Sequence, residues 1–87
     1  MEPWPFEERE QVVSILESMA AGHKTMLKLM QEPEHIRQRV VDVLEEMHGD
    51  DLLSCLISGT PLNNRERLVA LKVAVVTVSR VTQRAHT

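Results

Sequence analysis

Glu45 and His48 stand three positions apart in this 87-residue sequence. On a helix that spacing brings a carboxylate and an imidazole onto one face, where they can ligate iron or zinc. Glu17, on an earlier segment, could add a carboxylate across a bundle or dimer interface. A dinuclear site of this type needs two such Glu-x-x-His pairs on facing helices, so a symmetric second copy would have to complete it. Against a metal, Gly49 follows His48 at once and puts it on a last helical turn, where a cationic side chain already meets the helix dipole favourably. The expectation is therefore a solvated pair at a helix end, with no metal and no cofactor.

Nucleophilic catalysis needs a nucleophile, a base and an orienting group brought together, commonly around a sharp turn or glycine-rich loop. The three glycines are scattered singly, and Cys55, the one cysteine, has Leu53, Leu56 and Ile57 as neighbours. These mark it as a buried thiol with no nearby cation to activate it. His23 falls in an apolar row, where its ring is expected to pack on Met19 and Met26; His35 and His86 have nothing converging on them. No phosphate loop, dinucleotide fingerprint, zinc-ligand pairing or calcium loop is present. The chain reads as a non-enzyme.

Asn63, Asn64, Arg65 and Arg67 are the side-chain types that read adenine and guanine edges, and they stand where the second helix of a helix-turn-helix would start. The helix before them would begin with Asp50 and Asp51. The net charge of −3 supplies no overall attraction to phosphate. Charge is polarised along the chain: residues 1–60 carry a balance of −7 and residues 61–87 a balance of +4. A nucleic-acid-binding regulator is thus the alternative reading, and a metal-carboxylate protein built on Glu45 and His48 the third.

The elements that must position these groups are helices. With Trp4 and Phe6 the only aromatics and no tyrosine, the apolar mass is Leu, Val, Ile, Met and Ala. Pro5, Pro33 and Pro61 each stand where a helix can begin. Val12, Leu16, Met19, His23, Met26 and Met30 keep helical spacing and predict a first helix over 5–31, with Ala20-Ala21-Gly22 as either a close-packing patch or a weak point. Ile36, Val40, Val43 or Leu44, and Met47 predict the second, stopped by Gly49. Asp50 caps a short third helix that Gly59 ends. Thr60 or Asn63 caps a fourth over 62–84, with Asn63 and Glu66 spaced as a capping box. The valines at 68–78 would suit a strand by propensity, but Leu68, Leu71, Val75, Val78 and Thr82 repeat with the helical period.

The expected fold is all-α: a small bundle of three long helices and one short helix, completed by homodimerisation. Residues 1–87 form one helical domain with a Pro/Trp arm at 1–5. Val13, Ile15, Leu27 and Leu29 exceed the stripe that a small monomer need bury, which motivates the dimer. The single cysteine, the lack of a signal-peptide pattern and the absence of a bilayer-length apolar run suggest a cytoplasmic protein.

The expected function is protein recognition, as an adaptor, an inhibitor or anti-activator, or a secretion chaperone. At about 100° per residue from Arg65, Leu68, Leu71, Val75 and Val78 fall between about 220° and 300°, a predicted core stripe. Val69, Val73 and Val76 form a second face, ringed by Arg65, Lys72, Arg80 and Arg84. A dry centre with charged surroundings is common interface design, and it suits a partner with an acidic and apolar surface. Trp4 and Phe6 either fold back on the first helix or serve as an anchor for that partner. Met19, Met26, Met30 and Met47 are most simply core filler, though methionine-rich surfaces also suit adaptable partner recognition.

Overall fold

The computed structural model describes residues 4–86, and of residues 84–86 the backbone alone. Five helices follow one another: α1 (Phe6–Ala20), α2 (Met26–Met30), α3 (Glu34–Met47), α4 (Asp50–Ser58) and α5 (Asn64–His86). No strand occurs among the described residues. The valine-rich segment is helical throughout, so its 3.6-residue period outweighs the β-branched propensity. No helix among the described residues is long and apolar enough to cross a membrane.

The first helix is shorter than its periodicity suggests. It ends at Ala20, and the chain reverses through Gly22 at φ 76°. The His23 N–H bonds to the Ser18 carbonyl (2.8 Å) and the Gly22 N–H to that of Met19 (3.0 Å), the paired bonds of a Schellman cap. A Cβ on Gly22 would lie 2.8 Å from the Gly59 carbonyl oxygen and 3.1 Å from the Pro61 nitrogen. The glycine is therefore needed twice, for its left-handed backbone and for close approach to the loop before α5. The Leu62 N–H bonds to the Ala20 carbonyl (2.9 Å) and fastens that loop. Beyond the break, the Thr25 hydroxyl caps the short α2 by accepting from the Lys28 N–H. His23, Met26 and Met30 consequently leave the apolar row and are exposed, while Leu29 is buried.

Other helix ends follow local chemistry with small offsets. Pro5 and Pro33 cap α1 and α3, their carbonyls accepting from Arg9 and Arg37 (both 3.0 Å). Helix α3 stops one residue earlier than Gly49 suggests: His48 itself takes the left-handed position, at φ 52°. Gly49, rather than Asp50, is the N-cap of α4, which ends as expected at Gly59, φ 74°. The capping box before α5 forms fully. The Glu66 N–H donates to Asn63 Oδ1 (2.8 Å), and the Asn63 N–H donates to Glu66 Oε1 (3.4 Å).

Helix α1 packs against α3, α4 and α5, and α3 also packs against α5. Val12, Leu16 and Met19 meet Ile36, Val40 and Val43 of α3, Leu52 and Leu56 of α4 and Val78 of α5 in one core. Burying each of these larger side chains contributes about 1.5–3 kcal/mol before ordering costs. Ile15 and Leu29 are absorbed into this core and Val13 packs half-buried against it. Of the four apolar residues expected in surplus, Leu27 alone is left exposed.

Helix α5 is rolled away from its expected orientation. Its inward face consists of Ala70, Ala74, Thr77, Val78 and Thr82, whereas Leu68 and Val75 are exposed and Leu71 is half-buried. Alanine on that face lets the α5 backbone approach α1 and α3 closely, giving contact to many atoms at once. A stripe of leucines would hold the axes farther apart.

Candidate functional site

The roll of α5 leaves a long apolar ridge outside. Val69 and Val76 are 57% and 56% exposed, and Val73 is 41% exposed. Arg65, Lys72 and Arg80 are exposed around them. All six therefore occupy one accessible face, as their spacing suggests. The side chain of Arg84 lies outside the described residues. Arg80 Nη1 is 4.0 Å from Glu46 Oε1 on α3, at the edge of a concavity that Lys72, Val73, Val76 and Met47 also line. Farther along the same flank, Arg65, Val69 and Val73 border a second hollow with Met47, His48 and Asp51.

The helical pattern assigns Leu68 and Val75 to the core and so hides the opposite flank of α5, where both are exposed. There, Val75, Val78 and Ser79 face Phe6, Glu10, Val13 and Glu17 of α1 across a groove of about 640 Å³. The available signal was the row Ala70, Ala74, Thr77, whose spacing marks a close-packed helix face even though its members are less hydrophobic than their neighbours.

The two aromatics have separate places. Trp4 is 8% exposed and joins the core, with the Arg39 guanidinium 5.0 Å from its ring centroid. Phe6 is 63% exposed, with Arg9 over its ring at 5.6 Å. The arm thus folds back through Trp4, and Phe6 is the aromatic left accessible. Arg39 also pairs with Glu8, whose other oxygen bonds to His35 Nε2 at 3.0 Å. The Arg39 hydrogen bond outweighs partial desolvation and holds the Glu8 carboxyl below its ordinary value.

His48 leaves α3 in a left-handed conformation, and Glu45 and His48 border one hollow with Val41, Leu44 and Leu53. No group of three or more His, Cys, Asp or Glu side chains is arranged to hold a metal ion among the described residues. Cys55 is buried; that burial, reinforced by the charges of Asp51 and Glu66, pushes its thiol pKa up. The nucleobase-reading candidates are engaged locally: Asn63 in the capping box, and Asn64 Oδ1 accepting from Arg67 Nη2 at 2.6 Å. Arg65 is exposed and lines the same hollow as Asp51 and Glu66.

No protein-family description matches the chain, nor does any curated protein sequence or solved structure.

Proposed function

We propose that this chain is a small non-enzymatic protein-binding module of adaptor, inhibitor or secretion-chaperone type, acting in the cytoplasm. Its recognition element is the outer face of α5, and its partner presents an acidic and apolar surface. The observation that supports this reading is the row Val69, Val73, Val76, exposed along a helix and bordered by Arg65, Lys72 and Arg80. Removing the valines from water supplies affinity, while the surrounding cations select an acidic partner and speed encounter. Since these side chains are already at the surface, replacing them leaves the core intact.

The test is capture of partners by the tagged chain in its native cell, compared with Val73→Glu and Arg80→Glu variants. Both variants are expected to lose the captured protein while keeping the helical circular dichroism and the Tm of the parent. Capture that is indifferent to both changes would remove the α5 face from recognition.

A further inference from the structure

The groove between α1 and α5 has a chemistry opposite to that of the α5 ridge. Phe6, Val13, Val75 and Val78 make it apolar, and its α1 bank carries Glu7, Glu10 and Glu17, with Arg9 beside Phe6. The three glutamates are exposed, on one side of the helix at spacings of three and seven. An occupant that fits must be elongated and apolar, with cations along its edge.

The chain itself contains such an element. Along the outer edge of α5 beside this groove, Leu68, Lys72, Val75 and Ser79 are all exposed and recur at spacings of four, three and four, the seam of a helix pair; Val75 and Ser79 line the groove itself, and Lys72 also borders the hollow on the other flank. Arg65 precedes them by one turn. We infer that the α1–α5 groove is occupied by α5 of a second copy, forming a two-fold dimer in which each α5 is both a wall of one groove and the occupant of the other.

The register follows from symmetry. Two antiparallel α5 helices meeting on this seam place Leu68 opposite Ser79 of the other copy, and Lys72 opposite Val75. Within one chain α1 and α5 run in opposite directions, since Ala20 and Leu16 flank Ala70 and Ala74 while Phe6 and Glu10 flank Val78 and Ser79. Leu68 from the second copy therefore enters the Phe6 end of the groove, and Lys72 arrives beside the glutamates. Every contact is made twice, as a two-fold interface requires. Helix α5 is about 35 Å long at 1.5 Å per residue, comparable with the 37 Å longest extent of the molecule. The pairing also joins the acidic first part of the chain to its basic last part. Val69, Val73, Val76 and Arg80 remain outside the seam, so this dimer stands independently of foreign-partner recognition, sharing only Lys72 and Arg65 with it.

Light scattering after size exclusion of the full chain at micromolar concentration is expected to give twice the 9.9 kDa chain mass. Leu68→Glu, the double change Glu10→Lys with Glu17→Lys, and the double change Arg65→Glu with Lys72→Glu should each halve that mass without loss of helicity. Combining the two double changes in one chain should restore the dimer, because the attraction is re-formed with its signs exchanged. Val73→Glu should remain dimeric, which separates this result from failure of foreign capture. A monomeric parent chain, or a dimer that survives Leu68→Glu and both charge reversals, would overturn the inference.

Discussion

The guanidinium of Arg39 lies 5.0 Å from the centroid of the Trp4 ring and is itself tied to Glu8. A residue of the arm, one of α1 and one of α3 are thereby joined at one end of the bundle. The cation–π contact adds to the burial of the ring. Trp4→Ala is expected to cost about 3 kcal/mol, the magnitude usual for truncating a buried large aromatic. Urea denaturation followed by circular dichroism measures it; a loss within experimental error of zero would show that the arm is not part of the folded core.

Glu8 gives this corner a pH dependence of definite sign. Because Arg39 lowers the carboxyl pKa on folding, the unfolded chain binds the proton more readily. The contribution of Glu8 is present above its ordinary value of 4.5 and lost as pH falls through the lower folded value. Thermal melts of the parent and Glu8→Gln should differ most near neutral pH and converge in acid. A gap that widens on acidification would reverse the assignment.

His48 and Gly22 share a left-handed backbone and should respond oppositely to substitution. Histidine at φ 52° bears a steric cost that glycine avoids. After allowance for the greater freedom of glycine in the unfolded chain, His48→Gly is expected to stabilise by about 0.5–1 kcal/mol. Gly22→Ala adds a side chain to φ 76° and places it 2.8 Å from the Gly59 carbonyl oxygen, so it should destabilise by about 2 kcal/mol or more. Denaturation midpoints of the two variants on either side of the parent would agree with this.

Cys55 should be inert in the native state. It is 4% exposed, and burial raises its thiol pKa, so the reactive thiolate is scarce as well as covered. A thiol-directed reagent at neutral pH is expected to label the native chain slowly and the denaturant-unfolded chain rapidly. Equal rates would place Cys55 at the surface.

Features that depend on a few adjacent residues are legible in the chain. Asn63 and Glu66 specify the start of α5 because each side chain satisfies the other's backbone N–H. Gly59 ends α4, the Pro5 and Pro33 carbonyls open α1 and α3, and the apolar neighbours of Cys55 foretell its burial. Features that depend on residues far apart in the chain emerge with packing. The apolar period runs unbroken past Gly22, and nothing local distinguishes a glycine tolerated within a helix from one that ends it. The choice comes with Gly59 and Pro61, nearly forty positions later, which leave no room for a side chain there. The orientation of α5 was hidden for a related reason. Hydrophobicity favours burying Leu68 and Val75, but dispersion falls steeply with separation, and Ala70 and Ala74 allow the closer approach to α1 and α3. That packing choice also turned two residues expected in the core into surface, and so created the groove beside α1.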